Sequence, residues 1–242
     1  MLATALAVLA TAPVSPCQDP ALALRCPDLV MAPPTDLSLA RSPSGRRVVL
    51  RIANRIVNLG AASLEIRGHR SGPDTMAAYQ VIANAAGERR AYPTAGSLQW
   101  TAVPTRGGDY WKFHDAARFE LWSLDATGRR TALVRVGPKL NYCLRDLFRR
   151  RSGPVVPLRA VFPACNQSYD SPEVTLGISI GWADGYPATY PNNWIDVTGL
   201  KGCFAIVQRA DPDHVILEIS EANNTSSRVV RLPYRPGLQH CP

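Results

Sequence analysis

Asp109-Tyr110-Trp111-Lys112-Phe113-His114 opens a stretch that runs on through residues 113–124, turns at Asp125-Ala126-Thr127-Gly128 and returns over 131–136. Side chains on a strand alternate with a period of two, so Tyr110, Lys112 and His114 share one face. Phe119, Leu121 and Leu124 continue the apolar pattern beyond them. Strand, tight turn and strand at this spacing is the habit of an all-β sandwich or barrel.

The chain on either side repeats that rhythm. Residues 46–57 place Val48, Leu50, Ile52 and Ile56 largely in alternation with polar residues. Asn58-Leu59-Gly60 supplies turn chemistry, and residues 63–67 are expected to fold back as the partner strand of a hairpin. Residues 69–75 read as a loop, Tyr79-Gln80-Val81-Ile82 as a strand and Asn84-Ala85-Ala86-Gly87-Glu88 as a turn. A further loop carrying Pro93, Gly96, Pro104 and Gly107-Gly108 leads into the opening stretch. Downstream, residues 139–143 are expected to extend the returning strand, and 145–165 form a basic, proline-containing excursion. Strands are expected over 174–182, 194–197, 203–209, 215–219 and 229–232. The fourth of these is joined to the third by Asp211-Pro212-Asp213. No heptad, sustained helical period or internal repeat is present. One all-β domain over 26–242, with long irregular loops and little helix, follows a separate segment at 1–25.

That first segment contains a short apolar run, 2–14, ending in small residues, as a secretory leader does, although no basic residue precedes it. It is too short to span a bilayer, which takes roughly twenty apolar residues. Six cysteines, Cys17, Cys26, Cys143, Cys165, Cys203 and Cys241, include no C-x-x-C pair. Disulfides in an oxidising compartment are therefore favoured over a zinc ribbon or a thioredoxin-like site. Pairing Cys143 with Cys165 would close the basic excursion, and Cys17 with Cys26 and Cys203 with Cys241 are the other pairings expected. The protein is expected to be secreted or extracytoplasmic.

The 242 residues are 46% hydrophobic and 19% charged, an ordinary globular composition. The net charge is +8, yet the basic residues are scattered apart from Arg89-Arg90, Arg129-Arg130 and Arg149-Arg150-Arg151. No aromatic and basic interleaving marks a nucleic-acid module. A solvated basic face, with attraction to acidic cell-surface polymers or extracellular proteins, is the reading left open. Only Lys112, Lys139 and Lys201 among the 27 basic residues are lysines, a bias expected of a GC-rich bacterial genome. There is no Gly-x-Ser-x-Gly elbow, His-Glu-x-x-His helix or phosphate-cradling loop. Asp184 and Asp196 form a conceivable carboxylate pair, although Asp196 within Trp-Ile-Asp-Val reads as a turn or strand-end residue.

Several ordered pieces resemble the catalytic domain of the lysyl oxidase family. They are Pro27-Asp28-Leu29, residues 51–60, His114 through Gly128, Lys139-Leu140-Asn141-Tyr142-Cys143-Leu144, Gly177 through Tyr186, Trp194-Ile195-Asp196-Val197-Thr198, and Glu218 through Asn224. The resemblance implies a secreted β-sandwich that oxidises primary amines, including lysine side chains, to aldehydes with release of ammonia and hydrogen peroxide. It also implies copper held by a His-x-His-x-His strand and a quinone made from a lysine and a tyrosine of the chain. Spacing by two sets three imidazoles on one strand face, a nitrogen set that Cu(II) favours.

Tyr110, Lys112 and His114 fall where those histidines would stand, and only His114 is retained. Lys139 and Tyr186 match the quinone precursors. Asp28, the carbonyl of Leu29, Glu218, Asn223 and Asn224 match a calcium site of hard oxygen ligands, with Ser220 where some relatives carry an aspartate. Two functions are thus expected in competition. One is a non-catalytic extracellular binding or structural module, a degenerate relative without amine oxidase chemistry. The other is a copper-dependent primary-amine oxidase with a rebuilt metal site anchored on His114.

Overall fold

The computed structural model describes residues 15–42, 44–102 and 109–241. The leader-like run at 2–14 lies outside the described residues. Two single-turn 3-10 segments, Pro16–Gln18 and Pro20–Leu22, begin the described chain. Sixteen strands follow. The first eight are β1 (Leu24–Arg25), β2 (Leu29–Met31), β3 (Thr35–Arg41), β4 (Val48–Asn58), β5 (Leu64–Gly72), β6 (Thr75–Asn84), β7 (Arg89–Thr101) and β8 (Tyr110–Leu124). The others are β9 (Arg130–Val136), β10 (Leu140–Tyr142), β11 (Phe148–Arg149), β12 (Glu173–Ile178), β13 (Trp182–Tyr186), β14 (Trp194–Asp196), β15 (Gly202–Ala210) and β16 (Thr225–Leu232). The protein is all-β, with no α-helix among the described residues.

The larger sheet runs β12-β5-β6-β7-β8-β15-β16, with β1 on β6 and both β9 and β10 on β8. The smaller runs β11-β13-β4-β14, with β2 and β3 also on β4. The apolar cluster between them draws Leu50, Ile52 and Ile56 from β4, Ile66 from β5, and Trp111, Phe113, Phe119 and Leu121 from β8. β8 carries the larger sheet: its first half pairs with β7 and β10, its second half with β9 and β15. Between the halves Asp115 takes a left-handed φ of 51°, and the register against β10 slips. That bulge falls immediately after His114.

Several expectations are corrected. Residues 69–75, read as a loop, instead carry the end of β5 and the start of β6 around a tight turn at Pro73-Asp74. Residues 58–60 do not close a hairpin, because β4 and β5 lie in different sheets. Asn58 is wholly buried. Its Oδ1 accepts from Asp28 N and Gly60 N at 3.1 and 3.0 Å, and its Nδ2 donates to Ala62 O and Ile178 O at 2.9 and 2.8 Å. Gly60 is pressed so closely on the 26–28 backbone that a Cβ would stand 2.4 Å from Asp28 N. The stretch is therefore a corner that hands the chain from one sheet to the other. Pro93 and Gly96 lie within strand β7 and not in a loop. β7 pairs with β8 only over Leu98–Thr101 and elsewhere leans on β6, so the missing proline N–H leaves no ladder bond unmade on the unpaired side.

Residues 215–219 form no strand. Side chains take up their backbone groups instead: Asp211 accepts from Val215 N and Ile216 N at 3.1 and 2.8 Å, and Gln80 bonds both Leu217 N and Leu217 O at 2.8 Å. Residues 139–143 also form a separate short strand, β10, set off from β9 by Gly137-Pro138 yet paired with the same β8. Cys17 joins Cys26, Cys143 joins Cys165 and Cys203 joins Cys241. The first of these ties residues 15–25, grouped by sequence with the leader-like segment, to the sheet that β1 enters through β6.

Candidate functional site

Tyr110 and Lys112 leave β8 toward the chain that follows β13. Lys112 is 2% exposed, a rare state for a lysine. Its Nζ hydrogen-bonds the Tyr190 hydroxyl and stands 4.6, 4.8 and 5.5 Å from the ring centroids of Tyr110, Tyr190 and Tyr186. Aromatic faces carry negative potential and hold a cation at such distances. Tyr190 Oη lies 3.1 Å from Tyr110 Oη, so the lysine, two hydroxyls and three rings form one unit. Tyr186 stacks on Tyr190 with centroids 4.1 Å apart and meets Tyr142 edge-on at 4.7 Å.

Burial lowers the Lys112 pKa to about 8, and the nearby Asp184 carboxylate works in the opposite direction. At neutral pH the group remains mostly an ammonium. Asp184 is itself 1% exposed, and burial lifts its pKa to about 7 although Gly185 N donates to Oδ1 at 2.8 Å. Burial likewise raises the phenols of Tyr142, Tyr186 and Tyr190, so all three stay neutral.

His114 has a different environment. It is half-buried; burial lowers its pKa first and the Lys139 ammonium next, while Asp115 and Asp213 oppose them. Lys139 Nζ pairs with Asp115 Oδ2 at 3.1 Å, and the same oxygen accepts from Arg118 at 2.5 Å. Tyr186 Oη accepts from Cys143 N at 3.2 Å. No hydrogen bond, ion pair or ring contact joins Lys139 to Tyr186 among the described residues; the lysine facing the Tyr186 ring is Lys112. The remaining histidines are engaged elsewhere. His69 pairs with Glu173 at 2.8 Å and stacks on Tyr79, His214 bonds Glu221 at 2.8 Å, and His240 is exposed beside the C-terminal disulfide.

Copper does not fit this donor set. A Cu(II) site needs several nitrogen ligands with free lone pairs. Here a single imidazole is accompanied by an ammonium whose lone pair carries a proton and by a phenol bonded to its neighbour.

The second cluster ties the first strands to the last. Asn223 Nδ2 donates to both Asp28 oxygens at 3.1 and 3.0 Å, and Glu218 accepts from Leu29 N at 2.7 Å and from Asn224 Nδ2 at 2.6 Å. Asp211, Glu218 and Glu221 bring carboxylate oxygens within 4.8 Å of one another. Burial, with Glu221 and Asp211 adding to it, lifts the Glu218 pKa to about 9. The amide oxygens of Asn223 and Asn224 are buried without a hydrogen-bond partner. Crowded carboxylates beside two idle amide oxygens are a donor set suited to a hard cation such as Ca(II).

Asp184 and Asp196 do not act together: Asp196 caps Thr198 N at 2.9 Å and pairs with Arg47 at 3.7 Å, whereas Asp184 is sealed beside the tyrosines. Sequence reasoning did not single out Tyr142, Tyr190 or Asp211. The spacing of Tyr190, four residues after Tyr186 across a Pro-containing turn, is the one local signal that pointed to the cage.

No curated protein matches the chain at a significant level. The lysyl oxidase family model matches residues 74–236, from just before β6 to just beyond β16. With that match covering well over half of its length, on an all-β frame, the chain belongs to the lysyl oxidase family.

Proposed function

We propose that this lysyl oxidase family member is not an amine oxidase and serves as a binding or structural module outside the cytoplasm. The observation carrying this reading is Lys112. At the middle ligand position the chain supplies its own cation, enclosed by Tyr110, Tyr186 and Tyr190, where copper would require an imidazole. Tyr186 is packed on both sides by tyrosines and Lys139 is held by Asp115, so neither quinone-precursor position is poised toward the other. Three disulfides support an oxidising location. The net charge of +8 favours acidic surface components as partners. Ca(II), held by Asp28, Glu218, Asn223 and Asn224 with Leu29 alongside, would fasten β2 to the segment before β16 and act structurally.

The test is metal content and absorbance of protein expressed with copper supplementation. The expected protein is colourless, copper-free and inert toward primary amines. Stoichiometric copper with a visible quinone band and amine-dependent peroxide would establish the oxidase instead.

A further inference from the structure

The excursion closed by Cys143–Cys165 has a composition that the cage and the calcium cluster leave unused. It exposes Val155 at 70%, Leu158 at 80% and Val161 at 57%, with Leu147 and Phe148 partly exposed before them. Arg145, Arg149, Arg150, Arg151 and Arg159 accompany them, and the lone acid of the segment, Asp146, is 5% exposed. Apolar tips collared by arginines, of which Arg145 is offset by the nearby Asp184, suit the boundary between anionic headgroups and acyl chains. A purely acidic polymer would be served by the arginines alone and would leave those apolar side chains in water.

The excursion is held in shape from beneath. Asp146 accepts from Val161 N, Phe162 N, Ser179 N and Ser179 Oγ at 2.8, 3.2, 2.7 and 2.7 Å. Arg150 N and Arg151 N donate to Gly181 O, and Trp182 Nε1 donates to Pro157 O at 3.0 Å. Val156 is the buried peg, packed so tightly that a Cβ on Gly181 would meet it at 2.9 Å. A surface held this firmly loses little conformational freedom on binding. Beside it lies a groove of about 540 Å³, walled by Ala53, Leu147, Phe148 and Pro187, with Arg55 and Arg150 also in its lining. The Arg55 guanidinium stacks on the Phe148 ring at 4.5 Å, a cation beside an apolar slot.

We infer that residues 145–161 are a docking surface for an anionic lipid bilayer, with Val155, Leu158 and Val161 entering the interface and the arginines contacting phosphate headgroups. This rests on the reading of the protein as an extracytoplasmic binding module and gives that module its partner.

The test is flotation of the full chain with vesicles of phosphatidylglycerol mixed with phosphatidylcholine, against phosphatidylcholine alone. Binding is expected only to the anionic vesicles and is expected to weaken with salt. Near an anionic surface each arginine is worth about fivefold in affinity, so Arg149→Glu with Arg151→Glu should lose at least ~25-fold. Val155→Ser with Leu158→Ser, at exposed positions and with the charge unchanged, should lose ~10-fold or more with every arginine retained. Equal binding by the serine variant, or binding by the parent to soluble polyglutamate with none to vesicles, overturns the inference. Copper and quinone content of the same preparation is measured independently, so a failure of the lipid surface and a failure of the non-catalytic reading are distinguished.

Discussion

Lys112→Met removes a buried charge while keeping most of its volume, and its effect is calculable in sign. In the unfolded chain the amine titrates near 10.5; in the fold burial brings it to about 8. At ~1.4 kcal/mol per pH unit, keeping that proton costs the folded state about 3 kcal/mol below pH 8. Between pH 8 and 10.5 the folded lysine releases its proton while the unfolded chain still binds one, so the cost is relieved as pH rises. The buried phenols act oppositely: their raised pKa values remove stability once pH exceeds about 10, where unfolded tyrosines ionise. Both effects are present in the parent, and only the second remains in Lys112→Met. Urea unfolding of both proteins from pH 7 to 10 isolates the lysine as a difference. The parent should gain about 2 kcal/mol relative to the variant across that range. A constant difference would mean that the ammonium is solvated and the cage account is wrong.

Calcium at a hundredfold excess over its Kd should raise unfolding free energy by about 2.7 kcal/mol, with Glu218→Gln abolishing the response; thermal shifts in calcium against chelator decide it. Gly60→Ala should cost at least ~2 kcal/mol, because the added methyl meets backbone 2.4 Å away that cannot yield without moving the corner. Chemical denaturation measures it, and a loss below ~0.5 kcal/mol would refute the close approach. Tyr110→His with Lys112→His sets imidazoles at alternate positions before His114 and should raise copper affinity above that of the parent, measured by calorimetry on both. Absence of any gain would show that the ligand strand is misassigned.

Alternation identified β4, β8, β15 and β16, because each buries one or both faces against a continuous core and its apolar period survives in the chain, whereas the largely exposed β9 was announced by the Asp125–Gly128 turn before it. The corner at 58–60 was illegible because turn residues serve a hairpin and a sheet-to-sheet crossing equally well; what decides between them is Asn58 meeting Asp28, thirty residues earlier. β7 was hidden by Pro93, whose cost disappears where a strand has only one partner. Residues 215–219 show the reverse: a β-branched apolar run was present, but Asp211 and Gln80 satisfied the backbone in place of a neighbouring strand. At the candidate site the alternation of Tyr110, Lys112 and His114 was readable, whereas the bulge at Asp115, just beyond His114, was not, since an Asp in left-handed backbone leaves no pattern in sequence. Tyr190 reached the cage through tertiary packing that no spacing on β8 could announce.

A cation carried on a side chain differs from one acquired from solution in how its occupancy is set. A metal site fills or empties with the surrounding concentration, competes with other ions and yields to chelators. Lys112 is covalently attached, so its cage is filled as soon as β8 and the segment carrying Tyr186 and Tyr190 come together. Under the proposed function, filling the cage needs no metal delivery, and a chelator would leave it unchanged whether or not the cluster of Asp211, Glu218 and Glu221 takes up a cation. The cage would then answer to pH and the acidic cluster to the ionic composition around it.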